Sequence, residues 1–122
     1  MPYVEVLAPP ATLDSRASLA KSVTDALISA FGVAADTVTL YFVPIWPGDY
    51  AHAGEMGRQG AVQRILLKVH AFRRSEAERR AAAAALTRGV CAAYGVPGDD
   101  VAVYFLDRDK SEVAHDSKLA SD

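Results

Sequence analysis

The spacing of apolar positions changes twice in each half of this chain, and it changes in the same order both times. Pro2-Tyr3-Val4-Glu5-Val6-Leu7 alternates and is rich in β-branched residues, which predicts a strand. The stretch from Pro9 to Ser15 reads as a loop. From Ser15 to Phe31 the spacing becomes helical, with Leu19, Val23, Leu27 and Phe31 on one face and Gly32 placed to cap the C-terminus. Val38 to Val43 predicts a second strand. The succession then returns, with a strand over Ile65–Phe72 and a helix opened by the capping box Ser75-Glu76-Ala77-Glu78. That helix runs to Tyr94, is closed by Gly95, and leads to a strand over Val101–Leu106.

The recurrence is also visible residue by residue. Displaced by 63 positions, Gly32-Val33 falls on Gly95-Val96, Asp36 on Asp99 and Val38 on Val101. Tyr41-Phe42 falls on Tyr104-Phe105, and Ala51-His52 on Ala114-His115. The expectation is a single domain over 1–122, made of two pseudo-repeats at about 1–60 and 63–122. A strand–helix–strand unit implies a parallel strand pair with a right-handed crossover. Two such units make a four-stranded sheet with both helices on one face, an α+β two-layer sandwich. Leu40, Phe42, Val103, Phe105 and the inner positions of Ile65–Val69 are expected to leave the other sheet face apolar. Such a face is most simply covered by further copies of the chain in a closed ring, with Trp46 and Phe42 among the subunit contacts.

Composition narrows the function classes. Thirteen Lys and Arg against fifteen Asp and Glu give a net charge of -2, unlike the basic footprint of a nucleic-acid binder. With 51% hydrophobic residues the chain is not a disordered segment. Cys91 is the single cysteine, so no intrachain disulfide framework or cysteine-rich zinc site can form, and it reads as a small buried hydrophobe. No run approaches the length of a membrane span, and the start lacks the basic-then-apolar pattern of a secretory signal. The expected location is cytoplasmic, with no nucleic-acid or membrane partner.

A two-unit chain of this kind, beginning Met1-Pro2 at a strand, resembles the tautomerase superfamily over essentially its whole length. Arg74-Ser75-Glu76 resembles the helix-opening run of the short members, such as 4-oxalocrotonate tautomerase. Gly48-Asp49-Tyr50 with Gly54 resembles their glycine–aromatic segment. Gly57-Arg58 through Arg74-Ser75-Glu76 is similar to malonate semialdehyde decarboxylase. Val103-Tyr104-Phe105 and Val69-His70 are similar to cis-3-chloroacrylic acid dehalogenase. The resemblance implies a trimer of fused chains and cofactor-independent chemistry on a small carboxylate substrate, with the amino-terminal proline as catalyst.

The residues permit that chemistry. Freed of Met1, Pro2 presents a secondary amine. Chain-terminal amines titrate at about 7.7–8.0, and burial beside a cation disfavours the charged form further. A neutral amine near pH 7 is a competent general base; with Met1 attached, the same nitrogen is an amide and is not. Arg74, helped by Arg73, stands before a capped helix N-terminus, where backbone amides, helix dipole and guanidinium all favour a carboxylate. Charge alone would equally make these two, with Arg79 and Arg80, a solvated basic patch. Tyr50 and Tyr104 are expected to line the pocket, although strand tyrosines also serve simply as core or interface. His115 falls near the place of the dehalogenase's water-activating glutamate and is a candidate catalytic group. As the repeat partner of His52 it could equally be structural, and the two make a poor metal pair, so no metal is expected. His70 reads as a packed strand residue.

Three positions depart from the relatives. Leu27 stands where the dehalogenase has a histidine, Thr39 where the short tautomerases have a second arginine, and Phe72 where the decarboxylase has its earlier arginine. A monocarboxylate therefore fits better than a dicarboxylate. The expected activity is keto–enol tautomerisation of a small 2-oxo or 2-hydroxy-alkenoic acid. The alternatives are decarboxylation, hydration or dehalogenation of a three-carbon acid by protonated Pro2, or a non-catalytic binding or assembly role.

Overall fold

Strand β1 (Tyr3–Ala8) buries alternate residues, Val4, Val6 and Ala8, and turns Tyr3, Glu5 and Leu7 the other way. In the computed structural model, which describes residues 1–122, this alternation fixes which sheet face receives the helices. Helix α1 (Leu13–Phe31) starts two residues earlier than its spacing predicts, because the Thr12 hydroxyl accepts the Ser15 N–H and so caps the first turn. It buries Leu19, Val23, Ala26, Leu27 and Phe31, and it ends at Gly32 with φ +67°. Strand β2 (Thr39–Pro44) returns parallel to β1. A short strand, β3 (Ala51–His52), then pairs with β4 (Glu55–Met56) in a small hairpin.

The second half repeats this plan. Strand β5 (Ile65–Phe72) is followed by α2 (Glu76–Tyr94), β6 (Val101–Arg108) and a second small hairpin of β7 (Ala114–His115) and β8 (Lys118–Leu119). The capping box at Ser75 and Glu78 forms as expected. The Ser75 amide and hydroxyl hold the Glu78 carboxyl below the ordinary glutamate value. The sheet order is β2-β1-β5-β6, parallel within each half and antiparallel where β1 meets β5. Both helices pack on one face over a core of Val4, Val6, Leu67, Val69, Leu27 and Leu86. This is the α+β two-layer arrangement, with a mixed four-stranded sheet.

The open sheet face differs from expectation. Leu40 and Phe42 sit in register with Val4 and Val6, and Val103 and Phe105 with Leu67 and Val69. All four therefore pack against the helix-side core. The open face instead presents Tyr41, Val43, Lys68 and Tyr104, a mixed aromatic and polar surface.

Candidate active site

Pro2 immediately precedes β1 and is fully buried. Its carbonyl accepts the Thr39 N–H at 3.3 Å, so the chain start is held against β2. Beside it opens a cleft of ≈ 820 Å³. Tyr3 and Tyr41 come to it from β1 and β2, Phe72 from the end of β5, and His115 and Lys118 from the second hairpin. The antiparallel register that pairs Tyr3 with His70 sets the exit of β5 beside the chain start. In this way the second unit closes a cleft around the first residue of the first unit.

The hairpin owes its shape to two adjacent left-handed residues. Asp116 and Ser117 have φ +49° and +67°, the pair of values a two-residue turn needs to match the strand twist. That turn sets His115 directly across from Lys118. Of the 13 residues around the cleft, eight are hydrophobic and none is Asp or Glu. With Met1 attached the Pro2 nitrogen is a peptide nitrogen; the amine freed by removal of Met1 would meet this mostly hydrophobic lining without a carboxylate beside it. No group of three or more His, Cys, Asp or Glu side chains is disposed to hold a metal ion.

The expected residues divide. Pro2 and His115 share the cleft. Arg74 does not line it: Nη1 donates to the Phe72 carbonyl at 3.0 Å, and the guanidinium lies 4.9 Å from the centre of the Phe31 ring. The residue before the helix cap thus curls toward the helix layer, where an aromatic face receives it. Arg73 is exposed and pairs with Asp107 at 3.1 Å. Tyr50 lies with Pro9 and Trp46 around a separate cavity, and its hydroxyl accepts the Arg64 N–H at 3.0 Å. Tyr104 is 64% exposed on the open sheet face. Tyr3, Tyr41, Phe72 and Lys118 line the cleft as well, without a sequence motif that marks them.

Behind Tyr3 lies a part-buried polar network centred on His70. The ring of Tyr3 stacks on His70 at 4.2 Å between centroids and meets Tyr41 edge-on. Arg108 reaches His70 Nδ1 at 2.9 Å, and Glu5 lies on the Nε2 side. A guanidinium only donates, so Nδ1 must present its lone pair and Nε2 must carry the hydrogen toward Glu5. His70 thereby ties β1 to β6 across β5 and holds Tyr3 flat at the cleft wall.

No family model and no curated protein matches the sequence. Solved structures do match. Fused 4-OT structures superpose with TM-scores up to 0.90. One, a symmetric trimer, is 24% identical with a TM-score of 0.87, covering 98% of this chain and 96% of the other. This is the fused tautomerase fold. Malonate semialdehyde decarboxylase has it too, at a TM-score of 0.78 and 21% identity over 98% of this chain and 94% of its own. So does a member of the cis-3-chloroacrylic acid dehalogenase family, at a TM-score of 0.79 and 18% identity over 96% and 82%. The likeness spans both units, so the fused tautomerase fold accounts for the whole chain and not one half of it.

Proposed function

We propose that this chain is a cofactor-independent tautomerase of a small 2-oxo or 2-hydroxy-alkenoic acid, with Pro2 as general base once Met1 is removed. The observation that carries the reading is the buried Pro2 at the wall of a mostly hydrophobic cleft that holds no carboxylate. The neutral nitrogen takes the proton of the enol hydroxyl. The electron pair collapses to the carbonyl and the π electrons move to C3. The proline ammonium then returns its proton to that carbon, and no atom is gained or lost. His115 faces the same space and can hydrogen-bond the reacting oxygen. The assembly we propose is a homotrimer, as in the fused 4-OT neighbour described above, and the compartment is the cytoplasm. Arg73 and Arg74 reach the substrate only by leaving Asp107 and Phe31.

A second reading has one observation of its own. His115 lines the same cleft as Pro2, and a water-activating role for it would suit decarboxylation or hydration of a three-carbon acid with Pro2 protonated. The pH profile of kcat/KM separates the two. A rate with 2-hydroxy-2-pentenoate that needs the deprotonated amine supports the tautomerase. Turnover confined to malonate semialdehyde, and needing the protonated amine, replaces it.

A further inference from the structure

We infer that Lys118 is the carboxylate anchor of the Pro2 cleft and limits it to monocarboxylates. The inference rests on the tautomerase reading only for the identity of the reaction. Three observations point to it.

First, the cation expected there is engaged elsewhere: Arg74 lies on Phe31 and Arg73 on Asp107. Second, Lys118 lines the cleft together with Pro2 and His115, and no ion pair in the chain involves it. With no Asp or Glu among the lining residues, an incoming carboxylate is its natural counter-ion. Third, the internal repeat supplies a control. A displacement of 63 residues maps Lys118 onto Glu55, His115 onto His52 and Pro2 onto Ile65. The first hairpin, with Tyr50, His52 and Glu55, borders its own cavity next to Arg58 and Arg64. That cavity has no amino-terminal proline, and at the repeat position of Lys118 it has the opposite charge. The cation at this hairpin position therefore occurs only in the unit whose cleft contains Pro2.

Lys118 pairs with His115 across a two-residue turn, and both line the cleft together with Pro2. A substrate held there by one end directs its other end toward the apolar wall of Tyr3, Tyr41 and Phe72. A second carboxylate would meet aromatic rings and no cation.

The test is a binding titration followed by NMR with 2-oxobutanoate and, as its uncharged counterpart, butan-2-one. It uses the whole protein and needs no turnover, so failure of the proline chemistry and failure of the anchor are read separately. Lys118→Met is expected to weaken 2-oxobutanoate binding at least about tenfold, the usual value of a charge-assisted hydrogen bond. Butan-2-one binding should stay as in the wild type. Lys118→Arg should restore the carboxylate affinity, and Arg74→Met should leave it in place. In the wild type the shifts should centre on the amides of His115 and Leu119. Equal 2-oxobutanoate affinity in wild type and Lys118→Met overturns the inference. So does loss of carboxylate binding in Arg74→Met instead, or a wild type that does not prefer the acid to the ketone.

Discussion

Ser117 holds φ +67° at the tip of the hairpin that carries His115 and Lys118. Its repeat partner is Gly54, with φ +79°. A left-handed conformation costs an L-residue about 1–2 kcal/mol, while glycine gives back about 0.5–1 kcal/mol through the freedom of its unfolded chain. Ser117→Gly should therefore stabilise the protein by about 0.5 kcal/mol, read as a higher urea midpoint with an unchanged slope. A lower midpoint would mean that the serine side chain supports the turn. At this scale the sequence disclosed Pro2 and His115 but not Lys118. The repeat was legible through its identical positions, and Lys118 lies at a position where the two units differ in charge. Nor was the placement of Arg74 legible. Whether a guanidinium beside a helix cap turns to the cleft or to Phe31 depends on an aromatic ring 43 residues earlier in the chain.

At the level of elements, the two helices approach closely at Gly89. A Cβ added there would lie 2.9 Å from the Ser22 Cβ, closer than packed carbons come. Gly89→Ala should cost about 1–3 kcal/mol by overpacking, despite alanine's better helix propensity. Adding Ser22→Gly should recover part of that loss in a double-mutant cycle. A neutral or stabilising Gly89→Ala, seen as an unchanged or higher Tm, contradicts the close crossing. Element type was legible almost throughout, because helical and alternating spacings differ sharply and both helices carry recognisable caps. The two hairpins were not, since strands of two residues show no periodicity and Asp116-Ser117 lacks the glycine that normally announces such a turn. The assignment of Leu40 and Phe42 to the open face failed for a different reason. In a strand, facing is decided by register against its neighbour, and parallel register is not written in either strand alone.

The molecule as a whole offers one proline cleft per chain, assembled from both units, and an open sheet face with Tyr41 and Tyr104 58% and 64% exposed. If that face builds the proposed trimer, a charge at its centre should break it. Tyr104→Lys is expected to shift the mass measured by light scattering from three chains toward one, with the far-ultraviolet circular dichroism unchanged. A variant that stays trimeric would move the interface elsewhere, to the hairpins or the exposed Trp46. The duplicated plan and the two-layer fold were readable from the sequence because the same hydrophobic pattern occurs twice. The cleft was only half readable, because it forms where the antiparallel β1–β5 junction brings the exit of β5 to the chain start.

The most direct test of the account is turnover of 2-hydroxy-2-pentenoate by the native protein and by Pro2→Ala, each shown by intact mass to have lost Met1. General-base catalysis by the proline predicts a fall in kcat of at least about 100-fold in the variant, with the fold retained. A Pro2→Ala protein that turns over the enol at the native rate would contradict it.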